Sequence, residues 1–165
     1  MPSVFASAPI DFTDKPAGYR ELEKQLRALL AGERDAMANL ANAAALIFHA
    51  LPDLNWAGFY RLAGHTLLLG PFQGQPACVR IPVGQGVCGA AAARRETMLV
   101  RNVHEFPGHI ACDAASLSEI VVPLLRDGAV LGVLDLDSPQ FNRFDADDQA
   151  GLEKAAGLLV AACDW

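Results

Sequence analysis

Two apolar runs, EIVVPLL at residues 119–125 and AVLGVLDLD at residues 129–137, are joined at Asp127-Gly128. A turn dipeptide between two strand-like runs commits this stretch to an antiparallel hairpin, and the rest of the chain must cover it. Upstream, NWAGFYRL and TLLLGPF read as two further strands around the turn Ala63-Gly64-His65. ACVRIPV reads as a short extended piece and TMLV as another strand. Between these two, GVCGAAAARR is a small helix: its alanines favour helix, and its arginines suit the negative end of the dipole.

The two ends of the chain carry a different period. Leu22, Leu26, Leu29 and Leu30 make a stripe over residues 19–30. Met37, Leu40, Ala44, Ile47 and Phe48 do the same from Asp35 to about Ala50. A last helix starts at the N-cap Asp145, with Asp148 three residues on, and runs to about Ala162. These patterns predict an α+β fold of three layers: a central antiparallel sheet with the N- and C-terminal helices packed on one face. Residues 1–18, with Pro2, Pro9 and Pro16, read as an arm, and residues 19–165 as a single domain. The chain has no repeats and no low-complexity linker.

With 165 residues and 52% hydrophobic content, the chain can build a core without a disulfide or a metal. A net charge of −6 argues against nucleic acid or an anionic membrane as partner. The first fourteen residues hold no Lys or Arg, unlike a signal peptide. The apolar stretches are too short or too broken to span a bilayer. The expectation is a soluble, cytoplasmic protein. Its four cysteines, Cys78, Cys88, Cys112 and Cys163, then point to redox chemistry, metal binding or plain packing.

Three motifs bear on chemistry. Gly84-Gln85-Gly86-Val87-Cys88-Gly89 matches a dinucleotide fingerprint but lacks the βαβ unit around it, so it reads as a tight turn into a small helix. Cys88 falls in the first turn of that helix, where the dipole favours a thiolate. His104, His109, Cys112 and Cys88 are of zinc-ligand type, but no C-x-x-C accompanies them, and no metal is expected. Asp135 and Asp137 share one strand face with Leu131 and Val133, while Val130, Leu134 and Leu136 take the other. Two carboxylates at the end of an apolar strand are costly to bury. They suit an ammonium ligand, or a carboxyl kept protonated as a proton donor.

Four segments together, NWAGFYRL, LGPFQGQPACVRIPVGQGVCG, FPGHIACDAASLSEIVVPL and GVLDLDSP…RFD, resemble the free methionine-(R)-sulfoxide reductases, which are stand-alone GAF-domain enzymes. The resemblance covers most of the chain and is densest from Asn55 to Ser138. It implies a GAF-like fold and reduction of free methionine sulfoxide without a cofactor or metal. It implies Cys112 as the nucleophile, Cys78 as the main resolving cysteine and Cys88 as a third, auxiliary thiol. Glu119, Asp135 and Asp137 match the acidic cluster that holds the substrate amino group and supports protonation of the sulfoxide oxygen. Trp56 and Tyr60 match an aromatic wall around the methyl end, and Cys163 has no assigned role. A thioredoxin-like reductant is the implied partner, and the long first helix offers a surface for a homodimer.

The chemistry of these residues agrees with that reading. A sulfoxide is a poor electrophile until its oxygen is protonated or hydrogen-bonded. A thiolate attacking sulfur leaves a sulfenic acid, which a second thiol converts to a disulfide. Two alternatives stand beside it: a GAF domain that only senses a small ligand, and a structural module with inert core cysteines.

The acidic cluster requires a particular register. If Asp127-Gly128 formed a plain two-residue loop, Arg126 would pair with Ala129, and Glu119 would fall opposite Leu136 on the wrong face. A three-residue loop, Arg126-Asp127-Gly128, would instead set Glu119 opposite Asp135. An odd-length loop or a bulge is therefore predicted, with Gly128 at positive φ and three carboxylates on one face beside Cys112.

Overall fold

The computed structural model describes residues 5–165; residues 1–4 of the expected arm lie outside the described residues. Helices α1 (Lys15–Leu30) and α2 (Ala36–Ala50) precede strands β1 (Trp56–Ala63), β2 (Thr66–Gly74) and β3 (Arg80–Pro82). Helix α3 (Gly86–Arg94) and strand β4 (Met98–Val100) follow, and a long loop then leads to β5 (Ser118–Arg126). The chain ends with β6 (Ala129–Ser138) and α4 (Ala146–Ala162). The sheet order is β3-β2-β1-β6-β5-β4, and each neighbouring pair is antiparallel.

Helix α1 begins four residues before the sequence pattern placed it. Asp14 caps it by accepting from the Ala17 N–H at 3.1 Å, and Pro16 occupies the first turn, where proline suits a helix. The arm side is packed: Phe12 meets Tyr19 edge-on at 5.2 Å, and the Gln25 amide exchanges two hydrogen bonds with the Ala8 backbone. Asp35, where the sequence started the second helix, caps α2, and Asp145 with Asp148 forms a capping box on α4, where the sequence placed an N-cap. Asp148, fully buried, also accepts from Tyr19 Oη at 2.7 Å, Lys15 Nζ at 2.6 Å and Arg143 Nη1 at 3.3 Å. That network joins the start of α1 to the start of α4.

The sheet separates two apolar clusters. On one face, Leu22, Leu26, Leu40, Ile47, Leu152 and Leu159 of α1, α2 and α4 pack on Phe59, Ile120, Val122, Leu134 and Leu136. On the other, α3 lays Val87, Cys88 and Ala91 against Trp56, Tyr60, Val121 and Val133. The three layers follow the predicted arrangement, with the terminal helices on one face. Among the described residues no helix is long and apolar enough to cross a membrane.

The β5–β6 hairpin reaches its register by a bulge, one of the two routes the sequence left open, and not by the three-residue loop. Its loop has two residues, not three: Arg126 pairs with Ala129, and Asp127 and Gly128 both take positive φ, 51° and 79°. The shift comes a few residues later. Leu125 pairs with Val130 but Leu124 pairs with Gly132, so Leu131 is an extra residue in a β-bulge. Beyond the bulge Glu119 stands opposite Asp137 rather than Asp135, and Asp135 faces Val121. The bulge also exchanges two side chains: Leu131 packs on the helical face and Val130 on the α3 face, the reverse of strict alternation. Gly132, beside the bulge, is required by close approach, since a Cβ there would collide with the Tyr60 carbonyl oxygen. Glu119, Asp135 and Asp137 emerge on one face, under α3.

Candidate active site

Under α3 the β4–β5 loop, the β2–β3 connection and the ends of β1, β5 and β6 line an open cleft. Trp56, Tyr60, Cys88, Cys112, Glu119, Asp135 and Asp137 all line it. Seven of the eight side chains picked out in the sequence thus converge. The eighth, Cys78, is covalently attached at its edge through a disulfide to Cys112, with Cα atoms 5.6 Å apart. Both bridged residues are half-buried, so the bond is reachable from solvent.

The aromatic side of the cleft is built from β1 and β2. The Trp56 and Tyr60 rings stack 6.0 Å apart, and Phe72 stacks on Trp56 from behind at 5.2 Å. Their polar ends fix the segment that carries Cys78: Trp56 Nε1 donates to the Gln75 carbonyl at 3.1 Å, and Tyr60 Oη donates to the Cys78 carbonyl at 2.9 Å. The aromatic wall and the disulfide therefore share one support.

The acids form the floor. Glu119 and Asp135 are 6% exposed, and Asp137 is half-buried. Burial pushes all three carboxyls well above the usual carboxylate range, and mutual repulsion adds to it: Asp137 acts on Glu119, Glu119 on Asp135, and Asp135 on Asp137. The cluster therefore holds its protons to higher pH than exposed carboxyls do. Asp135 Oδ1 is buried and has no hydrogen-bond partner, which leaves an acceptor for a ligand.

Cys88 corrects one expectation. It does sit in the first turn of α3, but its Sγ lies 3.3 Å from Asp135 Oδ2 and 4.0 Å from Glu119 Oε1. Burial and these two acids push its thiol well above the ordinary range, so it stays protonated. Desolvation and nearby negative charge outweigh the short helix's dipole.

The glycine motif is the tight turn expected of it: the Gly84 N–H bonds to the Gly89 carbonyl at 2.8 Å, and among the described residues the sheet has no parallel strand pair to make a nucleotide fold. The histidines and cysteines considered for zinc do not gather as a set. His104 meets Phe141 edge-on, away from the cleft, and Cys112 is taken up by its disulfide.

The structure adds residues that sequence patterns did not assign to the site. His109 lines the cleft with its Nε2 3.6 Å from Glu119 Oε2, and burial lowers its proton affinity, which keeps the imidazole neutral. Asn55 Nδ2 donates to Asp113 Oδ2 at 3.1 Å and Ser116 Oγ at 3.0 Å, which ties the Cys112 loop to the start of β1. The only signal for these was the density of small and polar residues around Cys112. No Lys or Arg lines the cleft among the described residues.

An antiparallel six-stranded sheet with the terminal helices on one face and a ligand cleft on the other defines a GAF domain, and the family model of that description matches residues 26–164. The chain is 53% identical over 146 residues to the free methionine-R-sulfoxide reductase of Escherichia coli, covering 88% of each chain. It is 48% identical to the free methionine-R-sulfoxide reductase of Saccharomyces cerevisiae, covering 80% of this chain and 78% of that one. A solved structure of the Neisseria meningitidis free methionine-R-sulfoxide reductase in complex with its substrate superposes with a TM-score of 0.92 at 44% identity, covering 96% of this chain and 95% of that one. The chain belongs to the GAF family and, within it, to the free methionine-R-sulfoxide reductases.

Proposed function

We propose that this protein reduces free L-methionine-(R)-S-oxide to L-methionine, with Cys112 as nucleophile, Cys78 as resolving thiol and the acidic floor as ammonium site and proton source. The observation that carries the reading is the Cys78–Cys112 disulfide set against a cleft whose buried carboxyls bind protons more tightly than exposed ones do. In the reduced protein the Cys112 thiolate attacks the sulfoxide sulfur while a floor carboxyl protonates the oxygen. The sulfur–oxygen bond breaks, methionine leaves, and the oxygen stays on Cys112 as a sulfenic acid. The Cys78 thiol displaces that oxygen as water, giving the disulfide. Two thiols thus supply both electrons. A dithiol of the thioredoxin type restores them, which suits a reducing compartment such as the cytoplasm.

The same geometry supports selection of the free amino acid. An ammonium group meets up to three acids, with Asp135 Oδ1 unpartnered, whereas an amide brings no charge. Trp56 and Tyr60 suit a methyl group on a partly positive sulfur. The GAF-sensor alternative differs in one respect: a sensor binds without consuming thiols.

The test is an assay coupled to thioredoxin with the separate R and S epimers of free methionine sulfoxide and with the N-acetyl R epimer. Turnover of the free R epimer, with at least about tenfold slower reaction of the other two, is the expected result. Equal rates on N-acetyl substrate, or no thiol consumption with any of them, would overturn the proposal. Running Cys88→Ser alongside measures what the third thiol contributes to recycling.

A further inference from the structure

The floor of the cleft holds a second constellation. Cys88 Sγ, a Glu119 oxygen and an Asp135 oxygen all lie within 4.8 Å of one another, and all three residues are buried. A tetrahedral zinc ion bonds thiolate sulfur at about 2.3 Å and carboxylate oxygen at about 2.1 Å, which sets sulfur and oxygen roughly 3.6 Å apart. The two sulfur–oxygen distances here, 3.3 and 4.0 Å, lie on either side of that value. Independently of this spacing, Asp135 Oδ1 is buried with no hydrogen-bond partner, an acceptor left open in the cleft. His109, whose Nε2 is 3.6 Å from the second Glu119 oxygen, stands at the edge of the group as a nitrogen donor. The ligands come from α3, β5 and β6, so no short sequence motif announces them.

We propose that Cys88, Glu119 and Asp135 form a binding site for a thiophilic divalent cation, zinc by its ligand set, and that the ion takes the place of the substrate ammonium group. One thiolate with two carboxylates favours zinc over magnesium or calcium, which require oxygen ligands alone. The Cys88 proton, and any that Glu119 and Asp135 hold, leave to solvent as the ion binds. Because the acids that hold the ion are those proposed for the ammonium, metal and substrate exclude each other, and the site is inhibitory. This overlap rests on the proposed function; the metal site itself does not.

The experiment titrates zinc chloride into the oxidised protein against a chromophoric chelator. With the Cys78–Cys112 disulfide closed, those two sulfurs are not available as thiolate ligands. One zinc per chain is expected, with binding weakened at least about tenfold in Cys88→Ser, the lower end of what even outer-shell partners cost. Cys163→Ser should bind as the wild type does, and excess magnesium should not compete. Asp135→Asn, which preserves size, serves as the second variant if Cys88→Ser is misfolded by circular dichroism. No saturable binding, unchanged binding in the folded floor variants, or displacement by magnesium would overturn the metal site. The overlap is read by calorimetry of methionine-(R)-sulfoxide binding to the variant carrying Cys78→Ser and Cys112→Ser. Zinc at ten times its Kd should weaken that binding roughly elevenfold. Equal affinity with and without zinc overturns the overlap. Absence of sulfoxide binding even without zinc removes the overlap together with the proposed function, while the titration still decides the metal site.

Discussion

Replacing Asp135 with asparagine should cost activity and add stability, and the two effects have separate causes. Asp135 is 6% exposed, its Oδ1 has no partner, and burial and then Glu119 raise its proton affinity. For activity, the substrate ammonium favours the ionised form of Asp135, and the neutral amide of the variant gives up that charge pairing, worth about 1.5–3 kcal/mol. At about 1.4 kcal/mol per tenfold, kcat/KM falls roughly 10- to 150-fold. For stability, the sign follows from proton uptake. The ordinary aspartate value is 3.8 and the native one lies well above it, so between the two the folded state binds more protons than the unfolded one. The protonated native form is at full strength below that ordinary value, and stability is lost as pH rises through the native value. Each tenfold tightening of proton binding costs about 1.4 kcal/mol at high pH. The asparagine side chain does not ionise, and it also relieves Glu119 and Asp137 of a like charge. Urea denaturation followed by tryptophan fluorescence from about pH 4 to pH 8 should show Asp135→Asn gaining at least about 1 kcal/mol on the wild type across that range. A variant that loses ground to the wild type as pH rises would refute the buried-acid argument, and unchanged kcat/KM would refute the ammonium assignment.

Other substitutions test other links. Cys112→Ser should release no methionine in a single turnover, whereas Cys78→Ser should release about one equivalent per chain and then stall with a thioredoxin-type reductant; quantified product in a quenched reaction separates the two. Asp148→Ala should destabilise the fold by about 3–5 kcal/mol in denaturant titration, because it strands the buried Arg143 cation and leaves the buried Tyr19 hydroxyl without its acceptor, while Lys15 keeps Asp145. Gly128→Val forces a β-branched residue to a φ of 79° and should cost at least about 1–2 kcal/mol by the same measurement, while the register beyond the bulge, and with it kcat/KM at low temperature, is kept.

The sequence alone determined the elements and their faces wherever the pattern was local. The leucine stripe of the first helix, the helix starts at Asp35 and Asp145 and the Asp127-Gly128 turn each depend on residues a few positions apart, and the structure uses them, although Met37 of the second stripe is exposed. The cysteines, acids and aromatics of the cleft were legible because the resemblance named them together. The bulge at Leu131 was left open, because both a longer loop and a bulge satisfy the same need for one added residue. The choice between them lies in tertiary contact, where the Gly132 backbone packs against the Tyr60 carbonyl. The state of Cys88 was decided in the same way. Its place at a helix start predicted a thiolate, but the strands brought two buried acids to its sulfur, and desolvation overrode the dipole. Periodicity reports a residue's neighbours along the chain; burial and charge depend on neighbours that only the folded sheet brings within a few ångströms.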